Sequence, residues 1–338
     1  MSSGLTLGWH NGIVVDDGDS SICFDPTSTR GRFDSIFISH AHGDHTAGFN
    51  SKLLKYSTDE TASIYKTIKG EDLKSHQLLR YGESVKIDDF EVVAHDSGHM
   101  LGSTQFEVRT PNETMVYTGD VNCVETLTTK PATPVKCDAL IIESTYGSPE
   151  FVFPERELIY SEITRWVIKI ILEEKTPVFN VYSAGKAQEI IRLLNVFTNI
   201  PVVTHQAVAK VSDTYREFGV DLEFTNVLSD AGNKLLKNGK CVYIAPTTAS
   251  SDFPKKSAKA TVTGWAVRFA PRNFAMSFPL SSHADFKQLV NYVMCVKPKR
   301  VYSCFGFDAE FSEYLSKKMG VRAQPLPQIS QVSLRGFL

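Results

Sequence analysis

The sequence predicts an α/β protein with two domains or one domain carrying an insertion, and three observations carry that expectation. Short, continuous apolar runs at residues 36–38 and 140–142 each end in acidic or histidine-rich residues. Buried strands of α/β sheets end this way, where loops gather at their carboxyl ends. Beyond Pro154 the pattern changes to strand and helix in alternation, which predicts a small parallel sheet with right-handed crossovers. With 338 residues, the chain is long enough for a large core.

Composition narrows the field. Hydrophobic residues at 42% and charged residues at 22% fit a soluble globular protein. No apolar run approaches the ~20 residues that span a bilayer, so no membrane partner is expected. Met1-Ser2-Ser3-Gly4 has neither a basic nor an apolar stretch, so no secretory signal is expected either. The six cysteines, Cys23, Cys123, Cys137, Cys241, Cys295 and Cys304, include no C-x-x-C pair, and several sit in apolar runs as reduced core cysteines do. The expected location is the cytoplasm. A net charge of −2 excludes a whole-protein basic field. Contact with nucleic acid would rest on local patches such as Lys255-Lys256-x-x-Lys259 and Lys297-x-Lys299-Arg300, which equally serve as solvated faces.

The most informative stretch is Ile36-Phe37-Ile38-Ser39-His40-Ala41-His42-Gly43-Asp44-His45. Its apolar start reads as a buried strand, and the loop at its end carries four side chains able to bind a metal. Imidazole and carboxylate together suit Zn²⁺, with Mn²⁺ and Fe as other occupants. The i, i+2 spacing of His40 and His42 puts both rings on one side of an extended chain. Gly43 lets the backbone turn, so that Asp44 and His45 approach a second point. This density of ligand types points to a metal centre rather than to a solvated loop.

The remaining elements follow in order. Residues 13–15 and 22–24 flank Asp16-Asp17-Gly18-Asp19, a hairpin signal, and Asp25 ends the second strand just before Pro26. Residues 46–82 alternate short helical and strand-like pieces, broken by Gly48, Gly70 and Gly82. An alternating stretch over 85–93 leads to Asp96-Ser97-Gly98-His99-Met100-Leu101-Gly102-Ser103, where His99 lies between glycines. Residues 115–120 and 140–143 read as strands that end in the carboxylates Asp120 and Glu143. His10, His76 and His95 have no such setting and read as structural or surface residues.

Leu158, Ile159, Ile163, Trp166, Val167, Ile170 and Ile171 recur at helical spacing and define one apolar face. Strands over 177–181 and 202–204 alternate with helices over 187–197 and 207–218. At the strand-to-helix turn Tyr182-Ser183-Ala184-Gly185-Lys186, backbone N–H groups with Ser183 and Lys186 make a phosphate cradle. The same residues also read as an N-cap serine beside a solvent-facing lysine. Phe278-Pro279-Leu280-Ser281-Ser282-His283-Ala284-Asp285 precedes a helix over 286–294, and residues 299–306 form the last core strand.

His40-x-His42-x-Asp44-His45 resembles the HxHxDH signature of the metallo-β-lactamase superfamily, and the later motifs resemble those of its nucleic-acid-processing branch, the β-CASP nucleases. The resemblance runs over nearly the whole chain. It implies an αββα sandwich, residues 1–147 and 263–338, with an inserted small parallel α/β (β-CASP) lid at 148–262. It also implies that His40, His42 and His99 hold one metal, that Asp44 and His45 hold a second, and that Asp120 bridges them. Asp25 would support the histidine loop from behind. Glu143-Ser144-Thr145-Tyr146-Gly147 resembles motif A, and the stretch around His283 resembles motif B. Many relatives end the last core strand with His-Gly-Glu; aligning on Gly306 puts Phe305 and Phe307 in place of the histidine and glutamate. A phenyl ring cannot bind a metal, so the second ion is expected to be weakly held, exchangeable, or absent until a substrate phosphate completes its shell, as in Artemis-type DNA-repair nucleases. The insert is short for the family, and no appended nucleic-acid-binding segment is expected.

The implied activity is hydrolysis of phosphodiester bonds in single-stranded nucleic acid with one or two Zn²⁺ ions, or Mn²⁺, since Zn²⁺ lowers the pKa of water to about 7. His283, oriented by Glu143, would donate the proton to the leaving oxygen. Ser183, Gly185, Lys186, Ser281 and Ser282 would bind a terminal 5′-phosphate, favouring 5′→3′ exonucleolytic cutting of DNA in repair or processing. A lid over the metals forms a slot that suits a single strand. Motif A equally resembles the RNA 3′-end-processing branch, so an endo- or exoribonuclease is the alternative; contacts to the 2′-OH decide between the sugars, and spacing does not carry them. Two other classes are weighed. A non-catalytic scaffold subunit would typically have lost metal ligands that this chain keeps, and a small-molecule hydrolase of the glyoxalase or lactonase kind needs neither motif A, motif B nor the insert.

Overall fold

β-Branched and aromatic runs become strands close to where the pattern puts them. In the computed structural model, which describes residues 5–31, 33–249, 253–269 and 271–329, the chain divides into two units. The first runs to Val124, resumes over Pro131–Pro149 and again from Phe286; the second is Glu125–Lys130 with Glu150–Asp285.

The first unit opens with β1 (Thr6–Trp9), β2 (Ile13–Asp16) and β3 (Ser21–Phe24), antiparallel neighbours in which Asp16 and Asp17 side chains cap the intervening turn. β4 (Ser35–Phe37), β5 (Leu54–Ser57), α1 (Asp59–Lys69) and β6 (His76–Leu78) follow, giving a six-stranded sheet in chain order that is parallel from β3 onward. The Thr58 hydroxyl accepts from the Thr61 N–H to start α1. β7 (Ser84–Ile87), β8 (Phe90–Asp96), β9 (Thr104–Arg109) and β10 (Thr114–Tyr117) form an antiparallel meander, which β11 (Ala139–Glu143) joins in parallel.

The second unit alternates as α2 (Arg156–Leu172), β12 (Thr176–Val181), α3 (Lys186–Phe197), β13 (Val202–Thr204), α4 (Gln206–Glu217), β14 (Thr225–Asn226), α5 (Asp230–Asn238) and β15 (Val242–Pro246), then β16 (Ser257–Val262) and β17 (Met276–Phe278). Its sheet, ordered β14-β13-β15-β12-β16-β17, is parallel throughout. The chain then returns to the first unit with α6 (Phe286–Val296), β18 (Arg300–Cys304), α7 (Asp308–Met319) and β19 (Ala323–Pro325), completing the sheet β19-β18-β11-β10-β9-β8-β7.

The two sheets of the first unit share one core. Ile13, Val15, Ile22, Phe24 and Phe37 from the first meet Phe90, Phe106, Met115, Tyr117 and Ile141 from the second. Because side chains alternate along a strand, Val14, Cys23 and Ile36 point the other way and pack with Phe49 and with Tyr65 of α1. α7 packs along β18 on the second sheet, giving the helix–sheet–sheet–helix order of the expected sandwich. Burial on both faces is why β2 and β3 read as continuous apolar runs instead of alternating ones.

Several expectations change. The second unit extends to Asp285 instead of ending at 262, because β17 pairs with β16 at Ala260–Met276 and Val262–Phe278 and so belongs to its sheet. Leu158 is 59% exposed at the first turn of α2; Ile159, Ile163, Val167 and Ile170 form its buried face. The patch Lys297-x-Lys299-Arg300 is partly neutralised, with Lys299 Nζ 2.8 Å from Asp138 and Arg300 paired to Glu113. No disulfide joins the cysteines among the described residues, and Cys23, Cys241 and Cys304 are buried. Among the described residues no helix is long and apolar enough to cross a membrane.

His76 is the clearest source of pH-dependent stability. Its Nε2 lies 2.9 Å from Ser57 Oγ, and burial, then the Lys66 and Lys55 charges, lower its pKa from the ordinary 6.5 to about 4. The folded state therefore favours the neutral ring. This contribution is fully present above the unfolded value and is lost as pH falls from about 6.5 towards about 4. His76→Gln is expected to flatten the fall of the urea midpoint across that window. An acid limb as steep as the parent's would refute this.

Candidate metal centre

The site begins with a buried carboxylate. Asp25 follows β3 at a left-handed φ of 45° and is 3% exposed. Its Oδ1 accepts the Ser39 N–H at 2.7 Å, while Oδ2 accepts from Ser39 Oγ at 2.5 Å and Tyr117 Oη at 2.8 Å and pairs with His45 Nδ1 at 2.8 Å. Because the Ser39 hydroxyl proton goes to Asp25, its oxygen is left to accept from His40 Nδ1 at 3.0 Å. Both histidines are thus held with Nε2 free of that support, the arrangement in which a ring nitrogen can serve as a ligand.

Four side chains converge in front of this support. His40, His42, His99 and Asp120 each offer an atom, all within 4.8 Å of one another. His42 Nδ1 lies 3.1 Å from His40 Nε2 and 3.2 Å from His99 Nε2, and Asp120 Oδ2 lies 3.4 Å from His40 Nε2 and 3.6 Å from His99 Nε2. A tetrahedron whose donors sit about 2.0–2.1 Å from its centre has edges of about 3.3 Å. The donors therefore fit a divalent cation of Zn²⁺ size. The other oxygen, Asp120 Oδ1, is 3.7 Å from His45 Nε2, which is itself 3.7 Å from Asp44 Oδ2. Asp120 thus turns one oxygen to His40 and His99 and the other to His45, and the Asp44 carboxylate is 81% exposed.

Electrostatics agree with the donor set. Burial alone would lower the His45 pKa, yet Asp120, then Asp25 and Asp44, overcome it and raise it to about 10. A proton there answers a field of three carboxylates that a bound cation would balance. Burial and Asp25 hold the Tyr117 phenol well above its ordinary range, so it stays a donor.

Glycine and backbone bonds set the remaining positions. Gly119 has φ +55°, and a Cβ there would lie 2.8 Å from the Thr104 carbonyl and 2.9 Å from Ser39 Cβ, so only glycine turns the chain into Asp120. The Asn122 amide donates to the Gly98 carbonyl at 3.2 Å, and the Asn122 N–H donates to the Ser97 carbonyl at 2.9 Å, tying the His99 loop to the Asp120 loop. Glu143 is fully buried; its Oε1 accepts the Val121 N–H at 2.8 Å, immediately beyond Asp120. Phe305 adopts φ 64° and sets its ring edge-to-face against His45 at 5.9 Å and Trp9 at 5.8 Å, filling that side of the second half-site with carbon.

His283, Ser183, Gly185, Lys186, Ser281 and Ser282 all fall in the second unit. There Lys186 is buried, with Nζ donating to the Leu280 carbonyl at 3.2 Å and to Ser282 Oγ at 3.1 Å, so it is not the solvent-facing lysine of the simpler reading. Gly185, not Ser183, occupies the N-cap of α3. The His283 N–H donates to Ser281 Oγ at 3.0 Å. Ser39, Tyr117 and Asn122 are supporting residues that motif reading passed over. Ser39 and Tyr117 lie inside the quoted strand ends, where a polar group in an apolar run is the available signal.

No protein-family model matches the chain. Over 306 residues it is 28% identical to a probable DNA ligase of Opitutus terrae, covering 88% of this chain and 29% of that protein. An RNase J-like protein of Methanocaldococcus jannaschii is 22% identical over 81% of each chain. Cleavage and polyadenylation specificity factor 73 of Drosophila melanogaster is 26% identical over 82% of this chain and 53% of its own. These relatives bear out the resemblance to the metallo-β-lactamase superfamily and its β-CASP branch. A crystal structure of an Enterococcus faecalis V583 protein of unknown function shares this chain's fold, with a TM-score of 0.66 and 17% identity over 96% of both chains. The chain spans less than a third of the ligase relative's length.

Asp25→Asn, which keeps the side-chain shape and removes the charge, is expected to weaken retention of Zn²⁺ about 10–100-fold in chelator competition. Unchanged retention would show that the support is dispensable. Phe305→His is expected to raise the metal content retained after dialysis, measured by elemental analysis, because a ring nitrogen would then face the His45 side. Content equal to the parent's would refute that role for Phe305.

Proposed function

We propose that this β-CASP chain is a divalent-metal-dependent nuclease that hydrolyses phosphodiester bonds of single-stranded nucleic acid inside the cell. The observation that carries the reading is the convergence of His40, His42, His99 and Asp120 at tetrahedral edge lengths, with Asp44 and His45 on the far side of the same aspartate. A held cation supplies Lewis acidity towards a phosphoryl oxygen and a more acidic water. The chain's own side chains do the rest. Asp25 and Ser39 keep the histidine rings in one tautomer, and Glu143, fastened to the Val121 N–H, steadies the backbone that presents Asp120. As water oxygen bonds to phosphorus and the bond to the leaving sugar oxygen breaks, His283 is the proton donor to that oxygen, with Glu143 as the carboxylate that sets its tautomer.

Within this reading Zn²⁺ is the favoured ion, Mn²⁺ the alternative, and DNA the favoured substrate, cut 5′→3′ from a 5′-phosphate bound by Ser183, Gly185, Ser281 and Ser282 with Lys186 behind them. Ligase-named relatives, in Opitutus terrae and in Arabidopsis thaliana, favour DNA. An RNA substrate is the second reading, favoured by the RNase J-like relative aligned over 81% of both chains. Retention of His40, His42, Asp44, His45, His99 and Asp120 argues against a scaffold role.

The test is a labelled-strand panel: DNA and RNA, 5′-phosphate and 5′-hydroxyl ends, linear and circular, after chelation and with Zn²⁺ or Mn²⁺ restored. Cutting of linear 5′-phosphorylated DNA that needs the added ion is expected. His283→Ala is expected to lose about 10²–10⁴ in turnover while keeping its metal. A folded protein that takes up no metal and cuts none of these strands with Zn²⁺ or Mn²⁺ restored would overturn the nuclease reading, and equal cutting of circles would overturn the exonuclease polarity.

A further inference from the structure

Beside Lys186 the second unit buries two charged side chains, Arg156 and Glu189, that the chemistry above does not use. Arg156, at the start of α2, donates from Nη2 and Nε to Glu189 Oε1 at 2.7 and 3.1 Å, and the Tyr160 hydroxyl donates to the same oxygen at 2.7 Å. Glu189 and Lys186 lie one turn apart on α3, 2% and 8% exposed. The free ends of both cations go to one short segment. Arg156 Nη1 and Nη2 donate to the Ser281 carbonyl at 3.0 and 3.1 Å, and Lys186 Nζ donates to the Leu280 carbonyl and to Ser282 Oγ. The Ser281 hydroxyl in turn accepts the His283 N–H. Residues 280–282 are thus fastened at consecutive positions by charges brought from two helices, and the His283 N–H is tied to the middle one.

Stability alone does not account for this. Taking a carboxylate, a guanidinium and an ammonium out of water is costly, and apolar side chains of similar volume commonly serve a core as well or better. Burial lowers the Lys186 pKa to about 8, and Glu189 only partly offsets it. Arg156 and then Lys186 hold the Glu189 carboxyl below its ordinary range despite burial. What such a network supplies is a fixed geometry, since each donor has a directed acceptor. The residue at the end of the fastened segment is His283.

We propose that Lys186, with the Arg156–Glu189 pair beside it, is a positioning residue for His283: it locks the Leu280–Ser282 turn so that the imidazole is presented in one orientation. This rests on the reading of His283 as proton donor. It also assigns the Lys186 amine to the turn and not to a substrate phosphate.

A leaving-group comparison tests it. Lys186→Met keeps the stem and removes the donor, and Arg156→Lys keeps a charge beside Glu189 while giving up the forked contact with the Ser281 carbonyl. Each is assayed, with Mn²⁺ supplied, on a single-stranded oligonucleotide, whose sugar oxygen needs a proton to leave. Each is also assayed on bis(p-nitrophenyl) phosphate, whose nitrophenolate leaves without one. The expected result for Lys186→Met is a fall in kcat of about tenfold or more on the oligonucleotide, less than about threefold on the nitrophenyl ester, and KM within about threefold on both. Arg156→Lys is expected to show the same split at smaller amplitude, and it decides the matter if Lys186→Met does not fold. Equal losses on the two substrates mean a merely structural role, a rise in KM with kcat unchanged means a phosphate ligand, and parental kinetics mean no role; each overturns the proposal. His283→Ala is run alongside. Full oligonucleotide turnover in that variant removes the proton-donor reading itself, whereas a dead His283→Ala with a parental Lys186→Met removes only the positioning role.

Discussion

One buried carboxylate organises the metal centre. Asp25 sits at the end of β3, is 3% exposed, and takes hydrogen bonds from a backbone N–H, two hydroxyls and an imidazole. A carboxylate so placed costs several kcal/mol of lost hydration unless its lone pairs are filled. Each bond to a charged group returns about 1.5–3 kcal/mol, so the full set is needed for the position to be stable. The partners come from both sheets: Ser39 and His45 from the loop after β4, Tyr117 from β10. The interaction that satisfies Asp25 therefore also locks the two sheets in register at the site and fixes which nitrogen of His40 and His45 is available.

The rest of the centre depends on strand ends. β10, β11 and β18 lie side by side in parallel, with Glu143 opposite Cys304, so Asp120, Glu143 and Phe305 emerge from one edge of one sheet. Gly119 and Gly306 supply left-handed turns there; a Cβ on Gly306 would meet the Ser144 carbonyl at 2.4 Å. Phe305 also takes a left-handed conformation, unusual for a bulky residue, and such positions gather at functional sites. In the second unit the corresponding rigidity comes from charge. Arg156, held by Glu189, and Lys186 fasten the three residues 280–282 where the first unit uses backbone amides and glycines.

Much of this was legible beforehand. The strands 13–15, 22–24 and 140–143 announced themselves because burial on both faces demands continuous apolar residues, and the alternation beyond Pro154 became a fully parallel sheet. Ligand-type residues at strand ends were visible because few other roles put three histidines and an aspartate so close together. Less visible were α5 and β15. The sheet's continuation through β17 was hidden because a three-residue strand has too little periodicity to read. Arg156 and Tyr160, i and i+4 on α2, and Lys186 and Glu189, i and i+3 on α3, look like ordinary solvent-facing pairs until burial is known.

Residue type and local period are enough to read the fold class and the strands that end in ligand-type side chains. Distances between segments decide that Asp120 turns one oxygen to His40 and His99 and the other to His45, that Ser39, Tyr117 and Asn122 hold these loops, and that the Lys186 amine turns inward. Those outcomes depend on distances between segments far apart in the chain, and no local pattern of residues encodes such distances.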